Sequence, residues 1–469
     1  MAPSATVQDA PVHHPTFSKL STVNASVLHG PRDLRLEARS LEDPSAGEVQ
    51  VAIKATGICG SDVSYYQKFA NGDLCACMPL SLGHESAGVV VAIGPFVSGF
   101  KLGDRVALEV GVPCGSCTIC RKGRYNLCKQ MRFRSSAKSV PHYQGTLQER
   151  INHPAKWCHK LPDHVSFDAA ALLEPLSVAL HSVNRANPLP GSTALVIGAG
   201  TVGLLTAAVA RSAGCSEVTI TDVDSGRVKY ALAKGFATHG HVVPAPAPAP
   251  TSSPAPTSLP VPAALFPLPT SISCTSGSGT TTPSEHSSHS SGTTTPASVS
   301  SSVSSATSTA TTSLSVQFES AKNLALELQA LTAPSPSLHG DDEDKEDEEN
   351  AGFDVTFECT GKETCMHTGL YATKPGGKLI MVGMGTPVQT LPMSVAHLRE
   401  IDILGIFRYA NTYAAGIRLL CSGRLPTLDD MVTHRFKGLA AAKGAFELAG
   451  RTSDDSGNLV LKVVIEASE

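Results

Sequence analysis

The sequence lacks three features that would place the protein in a membrane, outside the cell or on nucleic acid. No run of about 18 apolar residues occurs in the 469 residues, so no membrane-spanning helix is predicted. Residues 1–19 have neither the apolar core of a secretory signal nor the arginines of a transit peptide, which favours a cytoplasmic protein. The net charge of −4 gives no basic excess for nucleic acid or an anionic membrane surface.

The cysteines, by contrast, are numerous: the chain has 13. In a large chain without a secretory signal, metal binding or burial explains them better than disulfides. Four of them, Cys114, Cys117, Cys120 and Cys128, lie in one short lobe, residues 111–130. Disulfides or loosely clustered thiols are the alternative, but the spacing suits a closed tetrahedral thiolate cage with no position left for substrate. The lobe is therefore predicted to hold a structural zinc ion.

A second candidate metal site centres on His84 and Glu85. Imidazole and carboxylate both bind zinc, and a catalytic zinc takes three protein ligands and keeps one position open. Cys59, in the stretch 57–62, is the obvious third donor. Taken alone, His84 and Glu85 would be interpreted as a surface pair and Cys59 as a buried apolar residue. The motifs around them favour a catalytic metal site.

Glu174 is an acid inside an apolar helical stretch, residues 172–180, directly before Pro175. A buried acid is costly unless it is paired or faces a polar site. Two roles fit this position equally: a neighbour of the catalytic zinc, or a cap at the start of the helix.

A dinucleotide-binding pattern follows. A short buried strand ends directly before Gly198, Gly200 and Gly203, which open a helix, and a second strand, 218–221, ends in Asp222. A lone GxGxxG is weakly specific, but this context predicts a Rossmann unit whose glycines admit the pyrophosphate and whose acid binds the ribose hydroxyls. Because Asp222 would repel a 2′-phosphate, NAD is predicted rather than NADP.

The remaining pattern predicts an α/β protein with a doubly wound parallel sheet and a second, mainly β domain. Residues 21 to about 110 consist of short alternating strands. A strand and turn are predicted at 353–361, a strand and glycine turn at 376–385, a further strand within 401–409, and the last strand at 459–465.

Three segments are predicted to lie outside this fold. Residues 1–20 form a flexible polar extension. Residues 241–314 are almost all Pro, Ala, Ser and Thr, and are predicted to be disordered because they cannot bury enough apolar area to offset their ordering entropy. The fold is expected to resume near Val316. Residues 333–350, with eight acids in the nine residues 341–349, are predicted to form a solvated, self-repelling loop.

The ordered sequence resembles the zinc-dependent medium-chain dehydrogenases, and within them the polyol branch of sorbitol, xylitol and L-arabinitol dehydrogenases. The resemblance runs from about Val23 to Ile465, omitting the two inserts. It rests on Gly57-Ile-Cys59-Gly-Ser-Asp-Val63, Gly83-His-Glu-Ser-Ala-Gly88, the four-cysteine lobe, Glu174-Pro-Leu-Ser-Val178, the glycine motif and Phe407-Arg-Tyr409.

The resemblance implies a domain organisation and an assembly. A GroES-like catalytic domain would comprise residues 21–175 and 405–469. An NAD-binding Rossmann domain, residues 176–404, would lie between them and be interrupted by segments 241–314 and 333–350. Members of the family are commonly homotetramers, which is the expected assembly.

The resemblance also implies roles for single residues. Cys59, His84 and Glu85 would bind the catalytic zinc, with Glu174 acting on it through a water, and Asp62 would orient the histidine. The implied substrate contacts are Tyr65, Arg408 and Tyr409, and the implied NAD contacts are Val202, Asp222, Arg227, Val382, Gly383 and Met384.

Arg408 can be argued from the residues as well. It is expected on the strand that begins at Ile401, where a merely solvated charge would be unusual. Contact with the cofactor or with a neighbouring subunit is the alternative to substrate binding.

The predicted reaction is the oxidation of a polyol to a ketose by NAD, with about two zinc ions per chain. Zinc would hold the substrate hydroxyl as an alkoxide, and the hydride would pass to the nicotinamide. Ser61 could pass the proton to solvent, or be a plain turn serine. The alternatives are a zinc dehydrogenase for another secondary alcohol, such as an amino-alcohol, and a non-catalytic interaction protein that uses the Ser/Thr/Pro insert. The complete set of metal ligands and Asp222 argue against a protein without catalytic activity.

Overall fold

The computed structural model describes residues 20–244, 306–332 and 351–467. The predicted extension except for Leu20, most of the Ser/Thr/Pro insert and the acidic loop lie outside the described residues. Within the described ranges, no helix combines the length and apolarity needed to cross a membrane.

The described chain alternates strands and helices in the following order. The strands are β1 (Ser21–Gly30), β2 (Asp33–Leu41), β3 (Glu48–Gly57), β4 (Ala70–Asn71), β5 (Leu74–Cys75), β6 (Leu80–Ser81), β7 (Glu85–Ile93), β8 (Arg105–Leu108), β9 (Gly111–Val112), β10 (Arg132–Phe133), β11 (Arg150–Pro154), β12 (Cys158–Lys160), β13 (Thr193–Ile197), β14 (Glu217–Asp222), β15 (His239–Val242), β16 (Phe353–Glu358), β17 (Thr373–Met381), β18 (Asp402–Gly405), β19 (Val432–Lys437) and β20 (Lys462–Glu466). The helices are α1 (Gly60–Lys68), α2 (Thr118–Arg121), α3 (Phe167–Ala171), α4 (Leu173–Ala186), α5 (Thr201–Ser212), α6 (Ser225–Ala233), α7 (Ala306–Gln329), α8 (Glu363–Ala372), α9 (Met393–Leu398), α10 (Tyr413–Cys421) and α11 (Ala442–Ala449).

The first domain is a mainly antiparallel β structure built from both ends of the described chain. Its main sheet has the order β12-β8-β7-β3-β20-β19, and β11 also pairs with β3. The predicted alternation along β3 is present: Val49, Val51 and Ile53 are buried in one core with Val90 and Leu108. Because β20 lies between β3 and β19, the C-terminal return supplies an internal strand of this sheet.

The second domain is a six-stranded parallel sheet in the order β15-β14-β13-β16-β17-β18. The strand order reverses between β13 and β16, and in such folds the cofactor binds in the crevice at this point. The α/β class, the Rossmann sheet and the mainly β companion domain are thus confirmed.

The predicted boundaries of the Ser/Thr/Pro insert need correction. Strand β15 includes His241 and Val242, and helix α7 begins at Ala306, ten residues before the expected Val316. Helix α7 connects β15 to β16 and buries Ala325 and Leu328 in a core with Phe353. Once this apolar contact has fixed one end of the helix, propagation into the Ser/Thr/Ala-rich residues before it adds one hydrogen bond per residue without a new nucleus.

The predicted domain boundary at 175/176 also differs from the structure. Helix α4 runs without a break from Leu173 to Ala186, so the predicted boundary falls within a helix. Its apolar face is buried along its whole length, including Leu176 and Val183.

Candidate active site

Three predicted metal ligands come together where β3 ends and β7 begins. One donor atom each from Cys59, His84 and Glu85 lies within 4.8 Å of the others. Cys59 is the N-cap of α1, and Glu85 starts β7 opposite Gly57 of β3. A Cβ atom on Gly57 would lie 2.4 Å from Glu85 Oε2, so this position must be glycine for the carboxylate to point inward. Ser61 lies half-buried in the first turn of α1, two residues after Cys59.

Asp62 orients the histidine of this cluster. It is fully buried and accepts hydrogen bonds from His84 Nδ1 (3.2 Å), Ser135 Oγ (2.6 Å), Gly83 N (3.3 Å) and Cys59 N (3.3 Å). Burial raises the pKa of Asp62, but the charge of His84 and these hydrogen bonds outweigh it and hold the pKa below its usual value. Because His84 Nδ1 is held by Asp62, its Nε2 is left to face the other two donors.

Lys462 is a part of the site that the sequence reasoning missed. It is 3% exposed, and its Nζ donates to Glu85 Oε2 at 2.5 Å and to the Ile58 carbonyl at 3.0 Å. Burial lowers the pKa of Lys462, but the Glu85 charge outweighs this and raises it. Removing one partner of such a buried pair costs about 3–5 kcal/mol. The signal was present: a lysine in the otherwise apolar strand predicted at 459–465.

Glu174 faces the same cluster. The residue at the N-cap of α4 is Leu172, and no side chain caps that helix. Burial raises the pKa of Glu174 to about 7, the nearby Glu85 adds to the rise, and the charge of His84 opposes it. The placement thus favours the zinc neighbourhood over helix capping. A half-buried thiol, a buried imidazole and two buried acids, whose charge Lys462 offsets, form a donor set that fits a zinc ion.

The four-cysteine lobe has the dimensions of a zinc site. The Sγ atoms are 3.5 Å apart for Cys114–Cys128, 3.5 Å for Cys117–Cys120 and 3.9 Å for Cys114–Cys120. A tetrahedron with bonds of about 2.3 Å places its sulfurs about 3.8 Å apart, whereas a disulfide requires about 2.05 Å. Backbone N–H groups of Ser116 and Cys117 lower the pKa of Cys114 to about 6, which favours the thiolate that zinc binds.

Arg408 is not on a strand, contrary to the sequence prediction. Strand β18 ends at Gly405, and Arg408 has a left-handed φ of 53° in the following loop. Its guanidinium carbon lies 3.7 Å from the centre of the Phe133 ring. The Phe133 ring is in turn 5.5 Å from the His84 ring, so it lies between Arg408 and the metal cluster. Arg408 Nη1 is buried and has no hydrogen-bond partner among the described residues.

The two predicted tyrosines lie near Arg408 and are more buried than substrate contacts usually are. Tyr409 is 3% exposed, and burial together with the charge of Glu174 raises the pKa of its hydroxyl well above the ordinary value. Tyr65 is 2% exposed, and its hydroxyl accepts a hydrogen bond from the Ala137 amide at 3.1 Å. The Tyr65 oxygen is therefore already engaged, although its own hydrogen remains available.

The glycine motif lies at the end of β13, at the predicted crevice. A Cβ on Gly203 would be 1.8 Å from the Gly198 carbonyl oxygen, so only glycine allows α5 to start this close to the strand. Asp222 accepts from the Ala199 amide at 2.6 Å through Oδ2 and from the Asp224 amide at 2.9 Å through Oδ1. Each of its oxygens keeps a lone pair for a ribose hydroxyl.

Arg227 and Val202 border this glycine turn. Arg227 Nη1 is 3.9 Å from where a Cβ on Gly200 would stand, and its Nε is buried without a hydrogen-bond partner among the described residues. Val202 lies in the first turn of α5, half-buried. The N-terminus of α5, with a guanidinium beside it that has an unpaired N–H donor, fits a dinucleotide phosphate.

The turn at Val382, Gly383 and Met384 lies on the other side of the crevice. The amides of Val382 and Gly383 donate to the Glu358 carbonyl at 2.9 and 2.8 Å, and Met384 is 68% exposed. The Glu358 carboxylate, which the sequence reasoning missed, accepts from the amides of Thr360 and Gly361 and fixes the neighbouring turn after β16. An acid closing a buried strand directly before Cys-Thr-Gly was the available signal.

Comparison with known proteins agrees with this geometry. Residues 45–163 match the alcohol dehydrogenase GroES-like domain, and residues 309–422 match the zinc-binding dehydrogenase domain. Sorbitol dehydrogenase of Gallus gallus is 32% identical over 427 residues, covering 91% of this chain and 93% of that protein. Sorbitol dehydrogenase of Bos taurus is 32% identical over 440 residues, covering 94% and 95%. The chain belongs to the zinc-dependent medium-chain dehydrogenases, in the polyol branch.

The solved structures agree on the fold of this zinc dehydrogenase. L-idonate 5-dehydrogenase from Escherichia coli has a TM-score of 0.68 at 22% identity, covering 96% of this chain and all of that one. The predicted family, the enzyme class and the cofactors NAD and zinc are thus confirmed, whereas the roles of the single site residues stay predictions. When bound, zinc polarises the substrate oxygen and NAD accepts the hydride. The chain itself holds two of the donors in place, through Asp62 on His84 and Lys462 on Glu85, and the burial of His84 and Glu85 keeps water away from them.

The role of Asp222 can be tested in this dehydrogenase by cofactor preference. The wild type should use NAD better than NADP by at least about 10-fold in kcat/KM, because a 2′-phosphate would face the Asp222 carboxylate. Asp222→Ala should lower the ratio of kcat/KM for NAD to kcat/KM for NADP. The matched control is Glu217→Gln, at the opposite end of the same strand, which should leave the ratio unchanged. Equal kcat/KM for the two cofactors in the wild type would show that the acid does not meet the ribose.

Proposed function

We propose that this enzyme oxidises a polyol such as sorbitol, xylitol or L-arabinitol at a secondary hydroxyl to give the ketose, with NAD as the hydride acceptor. The observation that carries the proposal is Arg408, a half-buried residue one aromatic ring away from the metal cluster, whose buried Nη1 has no hydrogen-bond partner among the described residues. A polyol has hydroxyls on both sides of the reacting carbon, and these can accept from such a donor.

The arrangement disfavours the two alternative substrate classes. A simple secondary alcohol has no further hydroxyl, so its binding would leave the buried Arg408 donor unpaired. An amino-alcohol would bring an ammonium group toward the positive charge of Arg408, which is repulsive in a buried site. We propose Arg408 and Tyr409 as the groups that select the polyol, and Ser61 as the first carrier of its proton.

A substrate panel tests this proposal. Purified enzyme with NAD should oxidise xylitol, sorbitol or L-arabinitol with a kcat/KM at least about 100-fold above that for 2-butanol, because a site built to hydrogen-bond hydroxyls rejects analogues that lack them. NADH absorbance measures both. If 2-butanol or an amino-alcohol is the better substrate, the polyol proposal is wrong, although the zinc and NAD assignments would stand.

The Ser/Thr/Pro insert can be tested separately. Every proposed site residue lies outside residues 245–305, so replacing them with about 20 Gly/Ser residues should leave turnover and NAD affinity within about twofold, since loop closure depends weakly on length. A folded variant that loses most of its activity would instead favour a docking or regulatory role for the insert. Cytoplasmic location and homotetrameric assembly stay predictions.

A further inference from the structure

The loop that carries Arg408, residues 406–412 between β18 and α10, has an unusual backbone. Arg408 has φ 53° and Asn411 has φ 61°. Asparagine tolerates this left-handed region, but arginine rarely adopts it. A strained residue of this kind persists only where its surroundings hold it. Arg408 Nη1 has no hydrogen-bond partner among the described residues, so this atom does not hold the loop in place.

The four-cysteine lobe holds it on both sides of Arg408. On one side, Asn126 Nδ2 donates to the Phe407 carbonyl at 2.8 Å. On the other, the Asn411 amide donates to the Tyr125 hydroxyl at 2.7 Å, and Asn411 Nδ2 donates to the Gly123 carbonyl at 2.8 Å. All three lobe groups lie between the third and fourth cysteines, where the chain has little freedom if both thiolates bind one ion.

The lobe residues that make these contacts are themselves anchored in the domain. The Tyr125 hydroxyl donates to Glu109 Oε1 at 2.6 Å, and its ring lies 4.9 Å from that of Trp157. Glu109 is 2% exposed and also interacts with His159 Nε2 at 2.8 Å. Tyr125 thus has its one donor committed to Glu109 and an acceptor position committed to Asn411. Asn126 is 4% exposed.

We propose that Asn126, Tyr125 and Asn411 are positioning residues for substrate selection, through which the four-cysteine lobe sets the place of the Arg408 guanidinium. The proposal rests on the proposed role of Arg408 in polyol binding. It gives the lobe a part in specificity beyond stabilising the fold. The lobe does not touch the reacting carbon. It fixes the carbonyl one residue before Arg408 and the amide three residues after it.

The variants Asn126→Ala and Asn411→Gly, alone and combined, test this. Glycine keeps the left-handed φ and the amide donor at position 411 and removes only the side-chain contact. We expect the combined variant to lower kcat/KM for xylitol roughly 10- to 100-fold, mainly through KM, because a misplacement of about 1 Å has effects of this size. Efficiency on 2-butanol, NADH affinity and zinc content should stay within about twofold of the wild type.

The matched control is Asn184→Ala. Asn184 is exposed and lines the same surface cavity as Asn126, but its side chain makes no hydrogen bond to the loop among the described residues, so the change should leave both substrates unaffected. If the combined variant loses zinc or unfolds, Asn411→Gly alone carries the comparison. On an Arg408→Leu background, the lobe variants should have no further effect on xylitol, since the group that they position is gone.

Two results would overturn the proposal. If the lobe variants lower activity on xylitol and 2-butanol equally, or add fully to Arg408→Leu, the lobe has only a structural role while the proposed function survives. If Arg408→Leu itself does not discriminate between the two alcohols, the proposed role of Arg408 is wrong and this inference is wrong with it.

Discussion

Cys59→Ser should lower kcat/KM by about 1,000-fold or more and leave about one zinc ion bound per chain instead of about two. Serine replaces a thiolate by a neutral hydroxyl, which binds zinc poorly, while the four-cysteine lobe is untouched. Losing a Lewis acid worth about 4 kcal/mol of transition-state stabilisation accounts for a factor of this size. Metal content can be measured by mass spectrometry on the same preparation that is assayed with NAD and xylitol.

The control for this variant is Cys117→Ser, which should remove the other zinc ion. It should also leave about one zinc per chain but retain measurable turnover of 2-butanol, because the cluster of Cys59, His84 and Glu85 remains intact. His84→Ala should behave like Cys59→Ser. Full activity after exhaustive removal of metal, or a Cys59→Ser protein that keeps both ions, would show that these residues do not form the catalytic site.

Arg408→Leu should lower kcat/KM for xylitol about 100-fold and change that for 2-butanol only a few-fold. Hydrogen bonds from a charged group contribute about 1.5–3 kcal/mol each, so the loss of one good bond is sufficient for this ratio. Leucine still packs on Phe133, which limits the disturbance of the His84 ring next to it. The assay is the ratio of the two kcat/KM values under identical conditions.

One further variant of Arg408 and one control arginine test this result. Arg408→Lys keeps the charge but loses the planar fork, so it should fall between the wild type and Arg408→Leu on xylitol. Arg424→Leu, an exposed arginine elsewhere in the domain, should change neither substrate. An equal loss on both alcohols in Arg408→Leu would indicate that Arg408 supports the cofactor or the fold rather than the polyol.

Local sequence patterns were sufficient for much of the fold. The strand before Gly198, the helix after it and the acid at the end of β14 are neighbours in sequence, so their spacing fixes their geometry. The four cysteines are likewise close in sequence, and their sulfurs meet as predicted. In each case the elements that position the residues lie within about one supersecondary unit.

Contacts between distant parts of the chain could not be predicted in the same way. Lys462 reaches Glu85 across 377 positions because β20 pairs with β3 and β3 with β7. Strand register depends on the whole sheet, which no local pattern specifies. The expected strand through Arg408 failed for a related reason: apolar residues continue to Phe407, but Gly405 and a left-handed Arg408 end the strand where the lobe holds the chain.

The position of the insert has a consequence for synthesis on the ribosome. Strand β13 pairs with β16 in the finished sheet, yet Val242 at the end of β15 and Phe353 at the start of β16 are 111 positions apart. At about 5–20 residues per second, β16 follows β15 after roughly 6–20 s. During that interval the edge of β13 that later pairs with β16 has free backbone N–H and C=O groups, and other chains can pair with such an edge. We therefore expect the nascent half-sheet to depend on chaperones for longer than it would with a short connection between β15 and β16.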